Sequence, residues 1–299
     1  MCACSSPLSA VLAVTLLLLS SVDANAVVEL KNHHKKCDLY DGSWVFDKSY
    51  PLYDVEKCPL ILQQFSCMRN GRPDRRYQKY RWQPKNCNLP RWDGREFGRR
   101  VRGKRIMFVG DSIGLNQWES LGCMIRAAYP RAPYSSAKTA LLSTILFPGC
   151  SRNLPKKNGK VKRKDMDRLK AYERALRTWS RWIDKRVDTN KINVFFQGVS
   201  PDHWNASNWD AQQCWGRQQQ AAEGGGGSDQ ADIILKKVLR SMKKPVHLLD
   251  INNMSGFRAD GHPWVYGNLR KIGIDCTHWC LPGVPDTWNL LLYATLLTL

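Results

Sequence analysis

Apolar and polar positions along this 299-residue chain change period several times, and each change marks an element. An apolar run from Leu8 to Val22 comes first. It is short for a membrane span, and Ala24-Asn25-Ala26 follows it as a small-x-small cleavage pattern. Residues 37–100 hold no long periodic run; they are rich in Cys and Trp, with scattered Pro, and read as a loop-rich subdomain pinned by disulfides. At Arg105-Ile106-Met107-Phe108-Val109 a short run of strand formers stops at Gly110-Asp111-Ser112. Leu115, Trp118, Leu121, Met124 and Ile125 then recur at helical spacing, which predicts a strand–turn–helix unit. Residues 130–163 have no clear period. Met166, Leu169, Tyr172, Leu176, Trp179, Ile183 and Val187 predict a helix over 165–187. Ile192–Phe196 and Pro245–Ile251 read as buried strands. Gly224–Ser228 is a flexible GGGGS loop, Gln230–Met242 a helix, and Asp286–Leu297 a C-terminal helix. Strands alternating with helices predict an α/β fold with a parallel sheet covered on both faces, although three strong strands are few for one.

Composition narrows the partners. The chain carries 46 Lys+Arg against 26 Asp+Glu, a formal net charge of +20, with 43% hydrophobic residues. That apolar content excludes wholesale disorder, and the lack of a fixed period or a second long apolar run excludes collagen, coiled coil and polytopic membrane protein. The charge favours a polyanion: nucleic acid, anionic lipid or acidic polysaccharide. Residues 1–26, read as a signal peptide or an uncleaved signal anchor, direct the rest into the secretory lumen, and no nucleic-acid-binding module is present; nucleic acid is therefore not expected as a partner, and a membrane only through that anchor.

The cysteines agree with a lumenal location. Of 11, Cys2 and Cys4 lie in the leader; Cys37, Cys58, Cys67, Cys87, Cys123, Cys150, Cys214, Cys276 and Cys280 remain, too widely spaced for a zinc ribbon. In an oxidising compartment they read as disulfides with one thiol left over. Asn205-Ala206-Ser207 and Asn253-Met254-Ser255 are glycosylation sequons.

Candidate chemistry sits at two places. Ser112 ends a predicted strand and opens a helix, where ligands bind in open α/β sheets and where helix N–H groups stabilise an oxyanion; the same position suits a plain N-cap. A nucleophilic serine needs a base. Among six histidines, His33 and His34 lie in a basic arm and His247 in an apolar strand, while His203 and His262 sit in polar loops and remain candidates. In Asp275-Cys276-Thr277-His278 the carboxylate precedes the imidazole by three residues, a spacing that sets them side by side on one turn, whether as a catalytic pair or a surface pair.

Several long stretches carry a resemblance. They are Cys37-Asp38-Leu39-Tyr40-Asp41-Gly42-Ser43-Trp44-Val45, Cys67-Met68-Arg69-Asn70-Gly71-Arg72-Pro73-Asp74, Tyr80-Arg81-Trp82-Gln83-Pro84, Phe108-Val109-Gly110-Asp111-Ser112, Asn116-Gln117-Trp118-Glu119-Ser120-Leu121 and the run from Asp275 to Asn289. From Cys37 onward the chain resembles the plant trichome birefringence-like family of cell-wall polysaccharide O-acetyltransferases. The resemblance implies an SGNH/GDSL-like three-layer sandwich with a parallel sheet (101–299), behind a small disulfide-rich subdomain (37–100). It implies Ser112 as nucleophile, with Asp275 and His278 as its partners, and the pairings Cys37–Cys87, Cys58–Cys123, Cys67–Cys280 and Cys214–Cys276. It implies no metal and no bound cofactor, only an acetyl donor such as acetyl-CoA as co-substrate. The location implied is the Golgi lumen or membrane, or the extracellular wall.

Two departures stand out. Between Leu142-Ser143-Thr144 and Lys164 the family's further strands are replaced by a short Pro- and Lys-rich piece, which suggests an internal deletion near 145–163 and leaves Cys150 without a partner. Leu115 stands where many members carry Arg, and a Leu there resembles the branch linked to pectin; oxyanion donation then falls to the Ser112 N–H and to Asn116, whose other reading is helix-surface hydrogen bonding. Arg99, Arg100, Arg102 and Trp279 are candidate contacts to an acidic polysaccharide, and Trp204 and Trp209 further stacking platforms; solvated surface and core are the other readings. The function expected is acetyl transfer to a polysaccharide hydroxyl, pectin before xylan or mannan, through an acetyl-serine. The alternatives are an acetylesterase with the same triad and an inactive polysaccharide-binding form.

Overall fold

The computed structural model describes residues 37–138, 143–146, 167–203, 214, 230–267 and 274–299. The leader, Cys150, the basic run from Arg152 to Lys164, Trp204, Trp209, the Asn205 sequon and the GGGGS loop lie outside them. Strand β1 (Gly42–Phe46) pairs antiparallel with β2 (Tyr80–Pro84), placing Trp44 opposite Trp82. Between them run three 3-10 turns, which keep this stretch loop-like. Helix α1 (Gly94–Arg100) starts at an Asp93 cap and leads to α2 (Ser112–Ala128). A short antiparallel pair follows, β3 (Ser135–Lys138) with β4 (Ser143–Leu146).

The next unit holds the parallel pairing that strand–helix alternation predicts. Helix α3 (Arg168–Arg186) and α4 (Gln230–Arg240) pack on one another. Their apolar stripes put Leu176, Leu235 and Val238 into one cluster with Phe196 and Leu248. Those last two residues sit on β5 (Phe195–Gln197) and β6 (His247–Leu249), which run parallel with Phe195 opposite His247. A short helix α5 (Asn252–Gly256) and the long α6 (Val284–Thr298) complete the chain. Every residue of α6 from Val284 to Ala294 is buried, so it is the central core helix rather than an amphipathic cover. Its start is fixed by the Asp286 carboxylate, which accepts the Gly283 N–H at 2.9 Å. A Cβ at 283 would lie 2.5 Å from the Cys280 carbonyl oxygen, so this turn needs glycine.

The 37–100 segment shares the main core with the C-terminal half: Trp82 and Phe97 join Trp279, Trp288, Leu291 and Tyr293. Disulfides fasten the same join. Cys58–Cys123 ties it to α2 and Cys67–Cys280 to the segment before α6, while Cys37–Cys87 closes the N-terminal stretch and Cys214–Cys276 a C-terminal loop. All four implied pairings are present, and they fit an oxidising, secretory compartment. No helix among the described residues is long and apolar enough to cross a membrane.

One predicted element is corrected. Arg105–Val109 forms no strand and pairs with nothing in a ladder among the described residues. Phe108 packs on the main core, but Ile106, Met107 and Val109 are 44%, 64% and 83% exposed. An apolar run predicts a strand only if neighbours cover it, and here none of the described strands lies alongside.

Candidate active site

Helix α2 begins at Ser112 because Asp111 caps it: the Asp111 Oδ1 accepts the Ile113 N–H at 2.9 Å. The Ser112 hydroxyl is thus spared capping duty. It lies 2.8 Å from the His278 Nε2, and the His278 Nδ1 lies 2.8 Å from the Asp275 Oδ2. The other Asp275 oxygen accepts the backbone N–H of Thr277 and of His278, at 3.1 and 3.0 Å. Burial raises the Asp275 carboxyl, but the bonds from His278 outweigh it and hold the group below the ordinary carboxylate range. An ionised Asp275 fixes the His278 tautomer: Nδ1–H donates to the carboxylate, and Nε2 accepts the serine hydroxyl proton. The Phe65 ring lies 5.4 Å from the imidazole. A cleft of about 430 Å³ opens onto Ser112, His278, Asp275, Thr277 and Asp202.

The turn carrying Asp275 and His278 is held on both sides. Asp275 exchanges two backbone hydrogen bonds with Trp264. The N–H groups of Cys280 and Leu281 donate to Gly261 and Phe65, and the Cys276 carbonyl accepts the His203 N–H. Both of its cysteines are bridged, Cys276 to Cys214 and Cys280 to Cys67.

Other sequence candidates take different places. Asn116 is fully buried, and its amide is committed to the Trp279 backbone: Nδ2 donates to the carbonyl at 3.1 Å and Oδ1 accepts the N–H at 2.8 Å. It therefore joins α2 to the histidine turn instead of serving an oxyanion. Trp279 is equally buried, against His262 and Trp288, so it is core and not a sugar platform. Arg99 and Arg100 are both paired with Glu96, and Arg100 also donates to the Leu296 carbonyl; Arg102 is exposed. Leu115 packs with Leu290 and Met124 in the second core cluster. Neither His203 nor His262 reaches Ser112 as a base; they contact each other. What sequence reasoning missed is that contact, because the two histidines are 59 positions apart and no local period announces it.

A family model described as a GDSL/SGNH-like acyl-esterase family found in Pmr5 and Cas1p matches residues 89–154 and 150–295, and the Pmr5 N-terminal domain matches 35–88. The chain is 42% identical to protein trichome birefringence-like 43 of Arabidopsis thaliana, over 88% of each chain. It is 41% identical to protein trichome birefringence-like 38 of the same plant, over 87% of this chain and 84% of that one. The first alignment runs to 325 positions while taking in 88% of a 299-residue chain, so this relative carries residues that have no counterpart here.

Proposed function

The chain belongs to the trichome birefringence-like family, and from that premise we propose that it is an O-acetyltransferase acting on a cell-wall polysaccharide, pectin first. The observation that carries the reading is the unbroken line Ser112–His278–Asp275, with 2.8 Å at each step. His278 accepts the Ser112 proton as the oxygen attacks the acetyl carbonyl; the tetrahedral intermediate collapses, the donor leaves with that proton, and acetyl-serine remains. The Ser112 N–H, at the positive end of α2, is the donor this reading assigns to the developing oxyanion. A sugar hydroxyl then attacks, His278 takes its proton, the C–O bond to Ser112 breaks, and the proton returns to the serine.

An acidic acceptor is supported by the net charge of +20 and by a second cleft lined by Phe46, Arg75, Arg76 and Lys79. The Phe46 ring there is 47% exposed beside the exposed Arg75 and Arg76, a set that suits a pyranose face and a carboxylate. The Golgi lumen is the location in keeping with the disulfides. An internal deletion is supported by the split family match around residue 150, by the longer relative, and by the uncovered Ile106–Val109 run. The assembled triad supports activity in spite of it.

Intact-mass analysis after exposure to an activated acetyl donor tests the reading. Wild type is expected to gain one acetyl group and Ser112→Ala none. De-esterified galacturonan should then discharge the adduct faster than xylan or water, and less so at high salt. Discharge at the same rate by water alone would make the chain an esterase; folded protein without an adduct would make it a binding form.

A further inference from the structure

Behind the histidine turn, two other imidazoles are joined in a row. The His203 Nε2 lies 2.9 Å from the Gly256 carbonyl oxygen, the His203 Nδ1 lies 2.7 Å from the His262 Nε2, and the His262 Nδ1 lies 2.5 Å from the His278 carbonyl oxygen. Carbonyl oxygens only accept, so both outer nitrogens must carry a proton. The contact between the rings needs one more. Three N–H protons over two imidazoles is one more than two neutral rings possess.

We propose that His203 and His262 share a single positive charge and act as a positioning clamp on His278, holding its carbonyl from behind so that its imidazole stays aligned with Ser112. The inference rests on the catalytic reading of Ser112 and His278 for its consequence, but not for its proton count. His262 is fully buried, and burial together with the charge of His203 pushes its imidazolium down to about 3. The neutral ring is therefore His262, Nδ1–H toward His278, and the extra proton resides on the half-buried His203. The His203 backbone N–H also donates to Cys276 in the same turn, at 3.1 Å.

The charged surroundings suit a single cation. Asp202 adjoins His203 in the chain, and Asp275 and Asp260 both favour a positive charge at His262. Asp260 is itself paired with Arg258, and Arg72 donates to the backbone carbonyls of His262 and Asp260. Loss of the third proton forces one of the three contacts to open. Clamp and base then have opposite requirements: His278 works as a base when neutral, and the pair works as a clamp when protonated. Acetyl-serine formation should rise and then fall with pH, the alkaline limb belonging to the pair.

Two measurements test this. In nitrogen-15 spectra of the wild-type imidazoles, three N–H protons on these two rings are expected at about pH 7.5, roughly one unit above the ~6.5 of free imidazole. Two N–H protons at that pH would overturn the shared charge, whatever the protein catalyses. His203→Gln, which cannot lose a proton, should form acetyl-serine roughly ten- to a hundredfold more slowly at the wild-type optimum and lack the alkaline limb. The donor concentration giving half-maximal rate should be unchanged. A variant that keeps the limb would overturn the clamp. Should wild type form no adduct at all, the catalytic reading fails, and the spectra still decide the proton count.

Discussion

The turn that carries His278 and the segment that carries Ser112 arrive at the same 2.8 Å hydrogen bond by different means. The turn has two disulfides, five backbone hydrogen bonds to three other stretches of chain, and a histidine pair behind it. The segment leading to Ser112 has Phe108 in the core and then exposed Val109, Gly110 and Asp111. What places Ser112 is the helix it opens: the Asp111 cap, the Cys58–Cys123 link farther along, and a buried polar face. Sheet-borne nucleophiles are placed from the strand side. Here the load passes to α2, and the two catalytic halves meet across Asn116 rather than across a sheet.

Removing a tether from the better-held half is the harshest test. Cys67→Ser with Cys280→Ser opens a link across 213 residues, for which loop-closure entropy gives about 5 kcal/mol. Denaturant unfolding should show a loss of that order or no folded protein. A loss under about 1 kcal/mol would mean that the backbone bonds of the turn suffice by themselves.

The joint between the halves comes next. Asn116→Ala leaves a buried N–H and a buried carbonyl of Trp279 without their partners, at about 1–3 kcal/mol. It should also slow acetyl-serine formation without changing its dependence on donor concentration, since no donor contact is lost. An unchanged rate with lowered stability would reduce Asn116 to packing.

How much of this was legible beforehand divides along the same line. Asp275 and His278 are three residues apart, so a single turn brings them together and sequence spacing reveals them. Helices α3 and α4 are readable because apolar periodicity and burial coincide in each, whereas α6 is buried all round and shows as an apolar run. The Arg105–Val109 strand was misread because a strand's existence depends on neighbours far away in the chain. Asn116 and Trp279 were misplaced for a related reason: polarity and aromaticity say what a side chain can do, whereas tertiary contacts decide which partner takes it. The sequence offers His203 and His262 only as candidate bases, and their mutual contact is visible only in three dimensions.

The halves also differ in how they answer to acid. On the α2 side, Asp286 is buried with its carboxylate accepting the hydroxyls of Ser120 and Tyr53, and burial pushes it up to about 6. Its folded value exceeds the unfolded one near 3.8, so the folded state binds the proton more tightly and stability rises as pH falls through 6. On the turn side, His262 at about 3 lies below its ordinary 6.5, so stability falls as pH drops under 6.5. Between pH 7 and 5 each effect amounts to about 1–2 kcal/mol, and they oppose. Wild-type Tm should change little over that interval. Asp286→Asn should instead lose Tm on acidification, because the Asp286 effect no longer opposes that of His262. A variant whose Tm is flat would show that the turn half does not sense acid.

The gentlest substitutions bear on the poorly covered segment. Met107→Gln with Val109→Thr should cost under about 0.5 kcal/mol, since side chains 64% and 83% exposed give up little burial. The same change in a covered strand would cost about 1–4 kcal/mol. The pair of substitutions therefore measures how much apolar cover this segment has in solution. Aggregation should fall as well, because an uncovered apolar run beside Ser112 invites association between copies. Reinserting the additional residues of the 42% identical relative should reverse the outcome if they supply strands alongside. Val109→Thr would then become costly, and amides 105–109 would gain protection from hydrogen exchange. A large cost in the chain as it stands would mean that Met107 and Val109 are covered after all, and that Ser112 is positioned from its strand side as firmly as His278 is by its turn.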